Sequence, residues 1–371
     1  MDVMETIADT NFPVQYEQLE ELAKRKLPND VFDYVQSGAG AEETLRANRQ
    51  TFEQWKIVPR FLKDVSHLST KVKVNGTEIA TPILLAPIGM QGIVHGEGEL
   101  ASARAAAKEN LPFVSSTVSS YSMEEIASET HGVRWFQLYY PNDPAIAKSL
   151  VERAETAGYT AIVITVDTAM LGYRERDRSN RYSPFLLGKG IANYEADAVF
   201  NERMSRSENA SFLDEMKKIF YKSSLCWEDI AYLRSITTLP IYLKGILSAE
   251  DARTAADFGI EGIVVSNHGG RQLDGCIASL DVLSSIKKEV GDELTILFDS
   301  GIRRGADIVK ALALGADAVF VGRPYLYGLA VDGEVGVQRV LKQLKEDLFI
   351  SLSLAGVSSL KELNEQWVQR A

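Results

Sequence analysis

The chain has 371 residues, 45% hydrophobic and 25% charged, the composition of a soluble globular protein with a large core. Its 40 basic and 51 acidic residues leave a formal net charge of −11, which argues against nucleic acid or an anionic membrane surface as the main partner. Two cysteines, Cys226 and Cys276, and four scattered histidines give neither a disulfide framework nor metal-ligand spacing, so a reducing, cytoplasmic setting without a metal is expected.

Met1 to Thr6 lack the basic and apolar segments of a signal peptide, and no apolar run approaches the roughly 20 residues of a membrane span. Residues 14–27 alternate acidic and apolar positions at helical spacing until Pro28 ends the pattern. A second helix starts at Asn29 or Asp30 and ends near Ser37 to Gly40, with Tyr34 on its apolar face reading as core. A third covers residues 42–54. Residues 71–79 alternate about Asn75-Gly76, the pattern of a hairpin, and this N-terminal region reads as a cap on a barrel floor or a preface to it.

From residue 82 the chain becomes rhythmic. Apolar strand patterns fall at 83–88, 113–118, 135–140, 161–167, 241–246, 263–266, 296–299 and 318–322. Helical stretches lie between most of them, at 98–110, 122–130, 144–157, 249–258, 278–290 and 305–314. Several end at a glycine suited to a left-handed cap: Gly158, Gly259 and Gly315. Eight strands alternating with helices predict an α/β fold, a (β/α)8 TIM barrel, with a doubly wound open sheet as the alternative. The expected organisation is a single domain: N-terminal helices and hairpin over 1–81, barrel over 82–330, C-terminal helices over 331–371. The interval between Asp167 and Ile241 is longer than one helix needs. It predicts an insertion at about 174–224, charged at first, then polar and without strong periodicity before Phe212. It reads as a long loop, either a lid, an interaction surface or plain solvated chain.

In such a barrel the carboxyl ends of the strands open on one face, where sites form. The first strand delivers Pro87, Ile88 and Gly89, the second Ser116, the third Gln137 and Tyr139. The fourth delivers Thr165 and Asp167, with Arg174 beyond, and the fifth Lys244. The sixth releases Ser266, His268 and Arg271, the seventh Asp299, Ser300, Gly301 and Arg303, the eighth Gly322 and Arg323. The last two groups suit a phosphate, held by glycine-rich turns, arginine and a helix N-terminus. Ser116, Gln137, Thr165, Lys244 and Ser266 suit a flat polar heterocycle. Tyr139, Arg174, His268, Arg271 and Asp167 suit a small carboxylate bearing a proton to be removed, with Asp167 orienting His268 and raising its pKa. Singly, each is as readily a structural hydrogen bond; their joint placement favours a site. A barrel that binds a phosphate-bearing ligand without catalysis is the non-enzyme alternative.

The runs Leu85-Ala86-Pro87-Ile88, Trp135-Phe136-Gln137-Leu138-Tyr139, Ile164-Thr165-Val166-Asp167-Thr168 and Lys244-Gly245 have a familiar look. With Ser266-Asn267-His268-Gly269-Gly270-Arg271-Gln272-Leu273-Asp274, Asp299-Ser300-Gly301-Ile302-Arg303-Arg304-Gly305 and Gly322-Arg323-Pro324, they resemble the FMN-dependent 2-hydroxy acid oxidases, bacterial L-lactate oxidases above all. The resemblance implies FMN as cofactor, contacted by Pro87, Ile88, Gly89, Ser116, Gln137, Thr165, Lys244 and Ser266. It places the ribityl chain and phosphate near Asp299, Ser300, Gly301, Arg303, Gly322 and Arg323. It makes His268 the base and Asp167 its partner. Tyr34, Tyr139, Arg174 and Arg271 become substrate contacts, which reassigns Tyr34 from core to site. The implied reaction takes an L-2-hydroxy acid, L-lactate first, to its 2-oxo acid, with O2 reduced to H2O2. A soluble dehydrogenase and a lactate monooxygenase-type enzyme are the alternatives, and an isomerase using flavin without net oxidation is a further rival. A homotetramer is also implied. Two positions depart from the oxidase pattern: Val118, where an aromatic is usual, and Gly89, where alanine is usual.

Overall fold

The computed structural model describes residues 12–206 and 211–371. Eight parallel strands close into a barrel: β1 (Ile83–Leu85), β2 (Phe113–Ser116), β3 (Arg134–Leu138), β4 (Ile162–Thr165), β5 (Ile241–Ile246), β6 (Gly262–Val265), β7 (Thr295–Phe298) and β8 (Ala318–Val321). Closure is made by β8 against β1, with Val319 opposite Ile83. The strands are short apolar runs rich in valine and isoleucine because both faces are covered, one by helices and one by the barrel's own interior.

Side-chain alternation sorts those faces. Leu84, Val114, Trp135, Val163, Tyr242, Val264, Leu297 and Phe320, one per strand, share a single buried cluster, the barrel interior. Trp135 and Tyr242 stack there with ring centroids 4.7 Å apart. The same parity carried two residues onward brings Ser116, Gln137, Thr165, Lys244, Ser266, Asp299 and Gly322 to the inside of the carboxyl rim. The expected strands run one to three residues past several of the observed ends, because the chain leaves the sheet at that rim. The glycines expected as caps have positive φ: 77° at Gly158, 68° at Gly259 and 114° at Gly315.

The two ends of the barrel are closed differently. The hairpin Val72–Val74 and Thr77–Ile79 packs Val74 and Ile79 onto the interior cluster, as a floor. Helices α1 (Tyr16–Lys26), α2 (Asn29–Gln36) and α3 (Glu43–Gln54) are not part of that floor. The segment joining α2 to α3 reaches the rim, where Ala39 N–H donates to Gly270 O at 2.8 Å.

The insertion after β4 is not a structureless loop. It holds the helices Glu175–Ser179, Ala198–Arg206 and Phe212–Ile219, and Asn193 pins it to the barrel. The Asn193 amide donates to Ser116 O (3.1 Å) and Thr117 O (3.0 Å) and accepts from Met123 N (2.8 Å). Before Phe212 the segment is held by single anchors of this kind, with fully buried Tyr194 and Phe200; the helix Phe212–Ile219 then buries Met216 and Ile219 on one apolar face. The C-terminal region is also not helical throughout. The helix Arg323–Ala355 breaks at Asp332–Gly333, and the chain ends in a strand, Val368–Arg370, antiparallel to Trp55–Ile57.

Candidate active site

Strand β6 is fully buried and ends in a turn that displays its polar residues. His268, Gly269 and Gly270 are all left-handed, with φ of 59°, 65° and 75°. Glycine is required at 270, where a Cβ would stand 2.6 Å from Leu45 N. A left-handed histidine is strained and has to be held. Its N–H donates to Ser266 Oγ at 3.0 Å, and its Nδ1 lies 2.9 Å from Asp167 Oδ1. A carboxylate only accepts, so Nδ1 carries the proton and Nε2 is left as the open lone pair. Nε2 faces the Tyr139 hydroxyl at 3.5 Å.

Asp167 pushes the His268 pKa up, as the sequence predicts, but it does not set the net shift. Burial of the ring, aided by Lys244 and Arg174, outweighs the carboxylate and leaves the imidazole below its ordinary range. Burial pushes Asp167 up, but the His268 ring and Lys244 more than compensate, so Asp167 is held below the usual carboxylate range. A neutral imidazole backed by an ionised carboxylate is a base ready to take a proton at neutral pH.

Two cations face this base. Arg271 lies over the Tyr34 ring at 5.1 Å and Arg174 over the same ring at 6.0 Å. Arg271 Nη1 donates to Tyr34 O (2.7 Å) and Ser37 O (2.8 Å), and Arg174 Nε donates to Arg271 O (3.2 Å). Burial, then the neighbouring Arg174, push the Arg271 pKa down. Two guanidiniums packed together, Arg174 buried and Arg271 half-buried, favour an incoming anion. Burial and Asp167 raise Tyr139, keeping its hydroxyl a donor.

The cleft continues from His268 along Pro87, Ile88 and Gly89, past Lys244 and Asp299, to Ser300, Gly301, Arg303, Gly322 and Arg323. Lys244 Nζ pairs with Asp299 Oδ2 and donates to Ser266 Oγ, both at 3.0 Å. Ser300 is left-handed, with φ of 84°; its Oγ donates to Asp299 Oδ1 (2.7 Å) and accepts from Gly269 N (3.0 Å). Gly322 caps the helix that begins at Arg323, so that helix's first N–H groups and the guanidiniums of Arg303 and Arg323 meet at one end. Arg323 presently donates to Val35 O, Ser37 O and Gly269 O, and Arg303 lies over the Tyr16 ring at 4.6 Å. The donor set fits FMN: cations and helix N–H groups for a phosphate at one end, a lysine and apolar walls for a flat ring at the other.

Ser116, Gln137, Thr165 and Ser266 do not line that cleft. They stand one layer back, 0–3% exposed, where Ser116 Oγ donates to Gln137 Oε1 and Gln137 Nε2 donates to Thr165 Oγ1, both at 2.9 Å. Asp167 likewise sits behind His268. Of the two departures, Gly89 and Val118 touch: a Cβ on Gly89 would fall 2.4 Å from Val118 Cγ2. Sequence reasoning did not find the chamber of about 520 Å³ that adjoins His268, Tyr139 and Arg174 beneath the insertion, with Phe185, Phe220 and Tyr221 in its wall. Met90, at the end of the first strand, stands at the same place, its sulfur accepting from the Tyr34 hydroxyl at 3.7 Å.

A model of the FMN-dependent dehydrogenase family matches residues 23–370. The chain is 48% identical over 357 residues to an L-lactate oxidase of Lysinibacillus sphaericus (strain C3-41), covering 96% of this chain and 92% of that one. It is 44% identical over 362 residues to an L-lactate oxidase of Nostoc sp., covering 96% and 98%. A crystal structure of mandelate oxidase with (S)-4-hydroxymandelic acid matches with a TM-score of 0.87 at 40% identity, covering 96% and 98%.

Proposed function

The chain belongs to the FMN-dependent dehydrogenase family, and from that premise we propose that it oxidises L-lactate to pyruvate with O2 as the electron acceptor and H2O2 as product. The observation that carries the reading is the pairing of a neutral, Asp167-backed His268 with Arg174 and Arg271 across one cleft. FMN, when bound, supplies the two-electron acceptor for the substrate's C2. Arg174 and Arg271 hold the carboxylate by charge-assisted hydrogen bonds, and Tyr34 and Tyr139 border it. His268 Nε2 takes a proton from the substrate, and Asp167 stabilises the imidazolium that results. Lys244 offers positive charge where the cofactor's ring would gain electrons, beside the layer of Ser116, Gln137, Thr165 and Ser266. Gly301, Arg303, Gly322 and Arg323 hold the phosphate end, with Pro87, Ile88, Gly89, Asp299 and Ser300 along the wall between.

A second reading has its own observation. The apolar chamber next to His268 is far larger than a methyl group needs, which favours a 2-hydroxy acid with a bulkier side chain. Among the described residues no helix is long and apolar enough to cross a membrane, and both cysteines are free. The two free thiols suit a reducing, cytoplasmic setting; a homotetramer rests on the family alone.

Anaerobic mixing of the FMN-loaded protein with L-lactate, then admission of air, tests the reading. Flavin bleaching followed by rapid recolouring, with pyruvate and peroxide formed, is the expected result. Slow recolouring points to a dehydrogenase, acetate in place of pyruvate to a monooxygenase, and bleaching only by larger acids to the second reading. A protein that does not take up FMN overturns the proposal.

A further inference from the structure

Asn267 precedes the base, and its side chain shapes the turn that carries it. Asn267 Oδ1 accepts Gly270 N at 3.1 Å, closing the turn over His268 and Gly269. That amide is in turn gripped from outside the barrel by Asn48 on α3. Asn48 Nδ2 donates to Asn267 Oδ1 at 2.8 Å, and Asn267 Nδ2 donates back to Asn48 Oδ1 at 2.7 Å. Asn267 Nδ2 also donates to Ile277 O at 3.2 Å. The two side chains sit in residues only 2% and 4% exposed, so water is a poor substitute for either partner.

We infer that Asn48 is a positioning residue for the base: its reciprocal amide pair with Asn267 fixes the left-handed turn that aims His268 into the cleft. This rests on the reading of His268 as the base. No local hydrogen bond alone would serve, because three successive left-handed residues, one of them a histidine, oppose the chain's ordinary preferences. α3 supplies the missing constraint. Its other contacts with the same loop agree, with Thr44 N donating to Asp274 Oδ1 at 2.9 Å and Leu45 packed against Gly270. The Asn48 carbonyl also backs Gly301, where a Cβ would stand 2.9 Å from it, so one turn of α3 braces both the base loop and the end of the cleft assigned to the phosphate.

Asn48→Asp gives a signed test. While protonated, the introduced carboxyl group reproduces both hydrogen bonds; once ionised, it faces Asn267 Oδ1 with an oxygen and breaks the pair. The ionisable groups about α3 include Asp274 and Cys276 beside Thr44, Asp281 beside Thr51, Asp307 paired with Arg49, and Lys310, which donates to Phe52 O; Asn48 itself is bonded only to Asn267 among the described side chains. With FMN-loaded enzyme, kcat of the wild type rises with pH as His268 loses its proton. In Asn48→Asp kcat instead falls again at higher pH, by about tenfold or more, with KM changed by less than about threefold. The His268 ring signal, followed by NMR and assigned against His268→Gln, shifts with the same titration, which tests the inference even if turnover of 2-hydroxy acids is absent. Asn48→Leu loses the rate at every pH while keeping yellow FMN. Wild-type profiles in kcat and in the ring signal for Asn48→Asp would overturn the inference, whether or not Asn48→Leu folds.

Discussion

Gly245 is the seat of Asp167: a Cβ built on Gly245 would stand 2.7 Å from Asp167 Cβ and 2.9 Å from Cγ. The glycine has φ of 116° and sits where the β5–β6 register shifts between Lys244 and Ile246. That bulge lets one strand deliver Lys244 to the cleft and still leave a hollow for the carboxylate on the neighbouring strand. Gly245→Ala is therefore expected to displace Asp167 and reduce kcat by about 10²-fold, within the range attributed to positioned acid–base groups. Acting through one pair, it adds little to Asp167→Asn in the double variant. Steady-state kcat of both singles and the double checks this; fully additive losses would separate Gly245 from the pair.

The base carries a pH signature. Burial holds the His268 pKa below the ordinary imidazole range, so kcat/KM should rise with pH and level off below that range. Asp167→Asn removes the group that opposes the downward shift. The acid limb then moves to still lower pH while the plateau rate falls by about 10²-fold or more. His268→Gln keeps FMN and loses most turnover. Stability follows the same sign. Both partners titrate lower in the folded chain than in the unfolded one: the His268 part is present above the ordinary imidazole range and drains as pH falls through it, and the Asp167 part is present above the ordinary carboxylate range and drains only below that. Denaturant titration from neutral to acid pH, with wild type beside His268→Gln, measures the His268 part.

Much of this was legible because a strand has a period of two. Ser116, Gln137, Thr165, Lys244, Ser266 and Asp299 occupy the first inward positions past the interior layer, so reading strand ends from sequence finds them. Which of them line the cleft and which stand behind is set by barrel curvature, which no local pattern carries. Tyr34 reads as core because it shares the apolar face of α2 with Val31, Phe32 and Val35; only the tertiary fold brings Arg271 and Arg174 over its ring. Asp167's upward push on His268 was legible, but the net sign is a balance between burial and charge, and burial is invisible in sequence. Phe220 and Tyr221 follow the amphipathic helix Phe212–Ile219, but nothing in that local period says that the segment folds back over His268.

The arginine pair predicts a split in kinetic constants. Arg271 uses Nη1 on the Tyr34 and Ser37 carbonyls, which fixes its guanidinium relative to α2. A lysine anchored at that end has no second, rigidly spaced nitrogen to present to a carboxylate. Arg271→Lys should raise KM by about 10- to 100-fold, the equivalent of one charge-assisted hydrogen bond of about 1.5–3 kcal/mol. FMN affinity should stay close to wild type. Fluorimetric titration of the apoprotein with FMN, run beside the kinetics, would refute this assignment if cofactor affinity fell as far as KM rose.

Gly89 and Val118, the two departures from the oxidase pattern, are one compensated feature. The space an alanine methyl would need at 89 is already filled, by Val118 Cγ2 at 2.4 Å and Val118 O at 2.6 Å. The two loops are tied at that point by Met90 N–H donating to Val118 O at 2.8 Å. Gly89→Ala should therefore cost about 1–3 kcal/mol by overpacking. Trimming the neighbour in Gly89→Ala/Val118→Ala removes the side-chain collision but not the carbonyl contact, so the double variant should recover part of the loss. The two changes should be coupled by about 0.5 kcal/mol or more. Val118 also lines both the cleft and the outer chamber, so displacing it narrows the space beside His268. Gly89→Ala should then raise KM for an aryl 2-hydroxy acid more than for L-lactate, and the double variant should reverse the order. Denaturant melts of the FMN-loaded proteins and the two KM values decide the matter: additive stabilities and parallel KM changes would mean that the valine does not fill the place of the missing methyl.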